Sequence, residues 1–132
     1  MMPRLVLDTH IIIRWLSGSK RLTRNQLRVI EKTASRGERL GISAVSLLEI
    51  SILVRDSTLE IDGPLDEFLD SLDQIPFQVL PLTPAVAFEA GSLRLLTDPS
   101  DRAIAATARV HGLRLVTSDT RIIDSNVVPT IS

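Results

Sequence analysis

The sequence predicts an α/β fold in a single domain over residues 1–132, with a mostly parallel central sheet of about four to five strands and helices on both faces. Three observations support this prediction. Short runs of branched apolar residues alternate with longer segments of helical periodicity, which is typical of parallel strands joined by helices. The chain length suits one domain with its own core. Polar residues follow several of the predicted strands, at the edge where such folds bind ligands.

Two strands and four helices are predicted in the first half of the chain. Thr23 is a good helix N-cap and Gly37 a good stop, and Leu27 and Ile30 lie at helical spacing between them. Ser43 caps the next helix, whose Val, Leu and Ile residues on most sides predict extensive burial. A fourth helix begins at a proline and carries acids on its outer face. In order, these elements are strand 4–7, helix 11–16, helix 24–35, strand 39–42, helix 44–54 and helix 64–73.

Three strands and two helices are predicted in the second half. Thr83, followed by a proline, begins one helix, and Asp101 begins the next, which ends at Gly112. Pro129 lies within the last strand and places it at a sheet edge, because proline cannot donate a ladder hydrogen bond. In order, these elements are strand 77–80, helix 84–93, helix 101–110, strand 113–116 and strand 127–131.

Composition excludes some kinds of chemistry. The chain has no cysteine, so disulfides, thiolate metal ligands and a thiol nucleophile are excluded, and any metal must be bound by oxygen or imidazole. No apolar stretch approaches the roughly 18 to 20 residues that span a bilayer, and the start lacks the apolar region of a signal peptide. We expect a cytoplasmic protein with no membrane partner.

Charge is distributed unevenly although the formal net charge is only −1. Residues 1–36 contain eight basic residues against two acids, whereas residues 56–73 contain seven acids and no base. Solvated helix faces would account for both runs. However, 13 of the 15 basic residues are arginine, whose planar guanidinium suits phosphate and carboxylate groups. The composition therefore modestly favours an anionic partner.

Two acids have apolar sequence neighbours, where an unpaired charge is costly. Asp8 separates two apolar runs, and helix N-capping is the alternative role for it. Glu49 lies within the predicted helix 44–54 and is better explained as a metal ligand than as a surface residue, unless an arginine pairs with it. Its neighbours three and four positions away are Val45, Ser46, Ile52 and Leu53.

Two further acids lie where local structure alone would account for them. Asp98 and Asp101 stand at a helix start, where capping explains one of the pair, and Asp119 ends a strand in a polar turn. Together with Asp8 and Glu49, however, these carboxylates would repel one another if the fold brought them together. A hard cation removes that conflict, and Mg²⁺ or Mn²⁺ prefers oxygen ligands and commonly binds substrate phosphates.

Four sequence blocks, in the same order and at similar separations, resemble the PIN-domain family, specifically the VapC-type toxins of bacterial and archaeal toxin-antitoxin pairs. Each block alone is weakly specific, but the four together span nearly the whole chain. They are Leu-Val-Leu-Asp-Thr-His at 5–10, Ile-Ser-Ala-Val-Ser-Leu-Leu-Glu at 42–49, Asp-Pro-Ser-Asp-Arg followed by Ala-Ile-Ala-Ala-Thr-Ala at 98–108, and Leu-Val-Thr-Ser-Asp at 115–119.

The resemblance implies a PIN-like nuclease domain that cleaves RNA internally by metal-activated water, with Mg²⁺ or Mn²⁺ as the cofactor. It also implies a homodimer and inhibition by a cognate antitoxin whose C-terminal segment occupies a groove near the site. The family's acidic quartet corresponds to Asp8, Glu49, Asp101 and Asp119, the last as a ligand or as a residue that positions water. The auxiliary residues that it implies are Thr9, Thr117 or Ser118, and Asp98.

Two other functions are compatible with parts of the sequence. The acid pocket could serve binding or regulation in a module that does not cut, since a fold can persist without its chemistry. A phosphotransfer or receiver-like domain would use Asp8 as a nucleophile. This second alternative is disfavoured because His10 stands where a second acid would be expected, and no lysine lies at a predicted strand end.

Overall fold

Five strands and seven helices alternate along residues 2–132, the part of the chain that the computed structural model describes. The strands are β1 (Leu5–Leu7), β2 (Leu40–Ser43), β3 (Phe77–Leu80), β4 (Arg114–Val116) and β5 (Thr130–Ile131). The helices are α1 (Thr9–Leu16), α2 (Arg24–Ser35), α3 (Ala44–Arg55), α4 (Leu65–Ser71), α5 (Pro84–Ser92), α6 (Pro99–His111) and α7 (Thr120–Ser125). None of these helices is long and apolar enough to cross a membrane.

The strands form one parallel sheet in the order β3-β2-β1-β4-β5, which confirms the predicted α/β class. β1 lies in the middle, where Leu7 is in register with Ile42 of β2 on one side and Val116 of β4 on the other. The chain order reverses at β1, and such a switch point opens a crevice beyond the carboxyl ends of the strands. Asp8, the residue after β1, therefore stands at the centre of this edge.

Both faces of the sheet are covered by helices, as predicted. Val6 packs into an apolar cluster with Val86 of α5 and Ile104 of α6 on one face. Leu5 and Leu7 point to the opposite face, because side chains alternate along a strand. There they join a second cluster with residues of α1, α2, α3 and α4, namely Ile11, Ile30, Ile50, Phe68 and Leu69.

Capping residues account for several helix boundaries. Thr23 and Gln26 form a reciprocal capping box: Thr23 Oγ1 accepts from the Gln26 amide at 3.1 Å, and Gln26 Oε1 accepts from the Thr23 amide at 3.0 Å. Ser43 caps α3, as predicted. α6 ends at His111 and is capped by Gly112, whose φ of 67° glycine adopts more readily than residues with a side chain.

One prediction of burial was wrong, and one apolar spacing did not mark the buried face. Leu27, which lies at helical spacing with Ile30, is exposed, and the buried side chains of α2 are Gln26 and Ile30. In α3 only Ser46 and Ile50 are buried. The exposed apolar side chains of α3 are Leu48 and Ile52. The sheet and its neighbouring helices cover one side of α3. The helix is therefore not buried on all sides, although its composition is apolar all round.

The structure also differs from the prediction near two of the acids, at the start of α6 and in the additional helix α7. α6 begins at Pro99 and not at Asp101, because Asp98 caps it. α7 was not predicted at all, since its six residues are too few to show helical periodicity. Asp119 is the N-cap of α7, so the polar turn after β4 is also the start of a helix.

Candidate functional site

The polar residues at the carboxyl edge of the sheet surround a pocket of about 360 Å³. Asp8 reaches the pocket from the end of β1, Glu49 from α3, Asp101 from the first turn of α6, and Asp119 from the N-cap of α7. The structure thus brings all four predicted acids to one pocket. The remaining lining residues are His10, Ile11, Arg14, Arg21, Asp98, Ser118 and Arg121.

Asp8 is held on three sides and is only 6% exposed. Its amide donates to the Val116 carbonyl at 3.0 Å, its Oδ1 accepts from the Thr9 amide at 2.8 Å, and its Oδ2 accepts from Thr117 Oγ1 at 2.7 Å. Burial raises the pKa of Asp8, and the bonds from Thr117 and Thr9 only partly offset that effect. Asp8 is both the N-cap of α1 and a wall of the pocket, so its two proposed roles are compatible.

Glu49 is half-buried and faces the same pocket. Its Oε1 accepts a 2.6 Å hydrogen bond from Thr9 Oγ1, which also lies 2.8 Å from Ser46 Oγ. Burial raises the pKa of Glu49, and the negative charges of Asp8 and Asp98 add to that effect. Among residues 2–132 no arginine or lysine forms an ion pair with Glu49. The carboxylate therefore lacks the structural partner that would otherwise explain it.

Asp98 and Asp101, either of which could have capped α6 according to the sequence, have different roles in the structure. Asp98 Oδ1 accepts from the Ser100 amide at 2.8 Å and so caps α6. Asp101 is therefore not needed as a cap and lines the pocket. Its pKa is raised to about 7 by burial first, and then by the charges of Asp98, Asp119 and Asp8. A carboxyl with this pKa is a group whose charge the surroundings do not compensate.

Asp119 differs from the other acids because Arg121 compensates its charge. The Arg121 guanidinium donates to both carboxylate oxygens, at 3.2 Å to Oδ1 and 3.0 Å to Oδ2, and the Arg121 amide donates to Oδ1 at 2.9 Å. These hydrogen bonds lower the pKa of Asp119. Asp119 is therefore ionised at neutral pH.

The other predicted auxiliary residues orient the acids. Thr9 and Thr117 are buried, and between them they bond Glu49 and Asp8 through their hydroxyl groups. Thr117 Oγ1 also accepts from the Asp119 amide at 3.0 Å. Ser118 lines the pocket itself. Both threonines therefore act through their neighbours and not directly on the pocket.

Gln26 is a buried member of the site that the sequence did not predict. Its Nε2 donates to the Thr117 carbonyl at 3.2 Å and to Ser118 Oγ at 2.8 Å, so α2 holds the turn that carries Asp119. Its capping box with Thr23 could be read from the sequence, because glutamine is three residues after threonine. The contacts with Thr117 and Ser118, 91 and 92 residues away, left no local signal.

The pocket has the donor chemistry of a divalent-cation site. The candidate ligands are carboxylate oxygens, and burial and mutual repulsion raise the pKa of Asp8, Glu49 and Asp101. A bound cation would relieve both effects. Within residues 2–132 no three or more His, Cys, Asp or Glu side chains are arranged to bind one ion directly.

An acidic pocket at the switch point of a five-stranded parallel sheet, built from the four sequence blocks, defines the class of protein. The family model described as PIN domain matches residues 5–126. The chain belongs to the PIN domain family.

Known relatives agree with this assignment. Ribonuclease VapC22 of Mycobacterium tuberculosis (strain ATCC 25618 / H37Rv) is 32% identical over 123 residues, which cover 92% of this chain and 91% of the relative. A chain of VapBC2 from Rickettsia felis, solved with a DNA fragment from its promoter, has a TM-score of 0.71 at 19% identity over 96% of both chains. A chain of a toxin-antitoxin complex from Klebsiella pneumoniae has a TM-score of 0.70 at 20% identity, covering 97% of this chain and 96% of that one. The two structures share the fold.

Proposed function

We propose that this chain is a divalent-metal-dependent endoribonuclease and the toxin of a toxin-antitoxin pair. The observation that carries the proposal is the meeting of four acids from distant positions at one pocket: Asp8, Glu49, Asp101 and Asp119. Similarity to Ribonuclease VapC22 over 92% of the chain supports RNA as the substrate. Action on cellular RNA would place the protein in the cytoplasm, as expected from the sequence.

The charges around the pocket suit a metal ion and a phosphate together. The acids favour a cation, whereas Arg14, Arg21 and Arg121 line the same pocket and favour an anion. A phosphodiester approaching a divalent ion satisfies both sets of charges. An acidic pocket without arginines would repel the same substrate.

In the proposed mechanism, a bound Mg²⁺ or Mn²⁺ would activate water and neutralise the charge that develops on the phosphodiester. The chain's own residues orient the acids that would hold the ion. Thr9 and Thr117 fix the two oxygens of Asp8, and Thr9 also fixes Glu49. Asp98 and Ser118, at the pocket wall, are placed to bond water or substrate. Arg14 and Arg21, which line the same pocket, would bind the RNA backbone through its phosphates.

The Asp8→Asn substitution tests the proposal. Asparagine caps helices as well as aspartate does and carries no charge to bury, so the variant should fold. We expect wild-type protein to cleave RNA in Mg²⁺ or Mn²⁺ and not in EDTA, and Asp8→Asn to lose cleavage while keeping its circular dichroism spectrum. Undiminished metal-dependent cleavage by pure Asp8→Asn protein would refute the proposal.

A module that binds without cutting is the alternative that the same experiment separates. It predicts no cleavage by wild-type protein and no rise in melting temperature on addition of Mn²⁺. Sequencing of RNA ends after induced expression, with Asp8→Asn as the control, would then show no new 5′ ends. For the nuclease, new ends should appear at a limited set of sites that are absent from the control.

For the antitoxin we propose the groove beside α1, whose lining is partly apolar, as the docking surface. The groove has a volume of about 390 Å³ and lies between α1, residues 59–62 and α4. It shares Ile13, Ser17 and Leu59 with a second groove, which in turn shares His10, Arg14 and Arg21 with the acidic pocket. A bound segment would therefore run towards the site. Co-expression with a cognate antitoxin should give a complex, and Leu16→Asp, at the groove wall, should abolish it.

We also propose that the toxin is a homodimer, as the family resemblance implies. In the proposed dimer the partner would cover Phe88 on α5, which is 82% exposed. Light scattering coupled to size-exclusion chromatography should give twice the 14.5 kDa chain mass. Phe88→Glu should give the monomer mass. A monomeric wild-type protein at high concentration would contradict this proposal.

A further inference from the structure

Arg121 contacts two of the candidate metal ligands. Its guanidinium bonds both oxygens of Asp119, and its Nη2 lies 3.8 Å from Asp101 Oδ2. Within residues 2–132 its side-chain hydrogen bonds are made only to Asp119. The arginine thus occupies the carboxylate oxygens that a divalent ion would use at this side of the pocket.

The ion pair between Arg121 and Asp119 is weak enough for a metal ion to displace the guanidinium. Its side chain is 70% exposed, and ion pairs at such positions contribute little to stability because water competes with them. A doubly charged ion interacts more strongly with the same carboxylates than a guanidinium does. Rotation of the long side chain would free Asp119 Oδ2 without changing the backbone of α7, and the bond from the Arg121 amide to Oδ1 would remain.

We propose that Arg121 is a displaceable internal cation, which compensates the charge of Asp119 beside Asp101 while no metal is bound, competes with the metal for Asp119, and contacts a substrate phosphate once released. This inference rests on the proposed function. The guanidinium remains at the pocket wall after displacement, because Arg121 follows Asp119 by two residues. Its planar donors match phosphate oxygens in a bidentate arrangement.

A purely structural ion pair would behave differently. If Arg121 only stabilised the start of α7, its removal would lower the melting temperature and leave metal affinity unchanged. Displacement predicts instead that its removal strengthens metal binding, because a competitor is lost. It also predicts that the same substitution weakens cleavage. Effects of opposite sign on two measurements distinguish the two roles.

The experiment titrates Mn²⁺ into RNA-free protein by isothermal calorimetry and measures RNA cleavage at saturating Mn²⁺. Arg121→Ala should bind Mn²⁺ about two- to fivefold more tightly than wild type, the range expected from losing an exposed ion pair. At saturating metal its kcat/KM should fall by about 10- to 100-fold, the effect of losing a charged hydrogen bond to phosphate. Arg121→Lys keeps the charge without the planar fork, so its Mn²⁺ affinity should stay near wild type while cleavage falls.

Arg36→Ala is the matched control for loss of one positive charge. Arg36 lies ten residues beyond Gln26, about 15 Å along the α2 axis, and lines a different cavity. The Arg36→Ala substitution should leave both Mn²⁺ affinity and RNA cleavage unchanged.

Suppose that the wild type binds Mn²⁺ and cleaves RNA. Arg121→Ala protein with unchanged or weaker Mn²⁺ binding, or with unchanged cleavage, would then overturn this inference alone. A wild type that neither binds Mn²⁺ nor cleaves RNA would overturn the proposed function, and this inference with it.

Discussion

The hydroxyl of Thr117 donates to Asp8 Oδ2 at 2.7 Å and accepts from the Asp119 amide at 3.0 Å. One buried side chain at the end of β4 therefore sets the positions of two candidate ligands, of which Asp8 lies 109 residues away in the chain. Because Asp8 is almost inaccessible to water, this bond orients a carboxylate that has few other partners.

The Thr117→Val variant should therefore lose activity more than stability. Valine has nearly the shape of threonine but cannot donate to Asp8, so we expect a stability loss of about 1–3 kcal/mol. Mn²⁺ affinity or cleavage should fall by about 10- to 100-fold, as is usual when a residue that orients a metal ligand is removed. Calorimetric titration and RNA cleavage measure these effects. Thr117→Ser keeps the hydroxyl and should retain most activity; a serine variant as impaired as the valine variant would contradict the argument.

Gln26→Glu should disturb the turn that carries Asp119. A glutamate can still accept from the Thr23 amide, but it cannot donate to the Thr117 carbonyl or to Ser118 as the glutamine amide does. We expect a lower melting temperature and about a tenfold loss of kcat/KM, with little change in KM.

The neighbouring Asn25→Ala is the control for Gln26. Asn25 bonds only exposed groups, the Ser132 carbonyl and Arg28, and its loss should change neither the melting temperature nor cleavage appreciably. An intact kcat/KM in Gln26→Glu protein would show that the Asp119 turn does not depend on α2.

Local signals predicted most of the fold. Thr23, Ser43 and Thr83 cap helices as expected, and the short apolar runs are strands of one parallel sheet. The missed features depend on tertiary packing. Leu27 is exposed although its spacing is that of a core residue, because the fully buried Gln26 faces the end of β4 instead.

The sequence predicted which acidic residues form the candidate site, but not the contacts that those residues make. Asp8 and Glu49 stood out because apolar neighbours surround them in the sequence, and both are at least half-buried. Arg121 did not stand out, because an arginine after a polar turn is ordinary. Its bonds to Asp119 depend on α7, a helix too short to show periodicity.

Metal-free protein should be destabilised by ionisation of Asp101. The fold raises the pKa of Asp101 from 3.8 to about 7, so the charged form is disfavoured in the folded state. This destabilisation is complete above about pH 7 and is relieved as the pH falls towards 3.8. Asp8 and Glu49 shift in the same direction, whereas the lowered pKa of Asp119 affects stability only in more acidic solution.

Melting temperatures in EDTA test this pH dependence. Asp101→Asn should be more stable than wild type at about pH 8, and the difference should shrink as the pH falls to about 5. Saturating Mn²⁺ should reduce the advantage of Asp101→Asn at about pH 8, because the ion compensates the charge in the wild type only. A difference between the two proteins that is independent of pH would contradict the assigned shift.

Arg14→Ala and Arg21→Ala should weaken substrate binding without preventing folding. Both arginines line the acidic pocket and also the adjoining groove, so they can follow an RNA backbone away from the candidate metal position. A contact to phosphate depends on salt, whereas the acids that would hold the metal act on the chemical step. Each substitution should therefore raise KM several-fold and make KM less dependent on salt concentration, with kcat nearly unchanged. Arg36→Ala again serves as the charge-matched control. A fall in kcat at constant KM would instead assign these arginines to the chemical step.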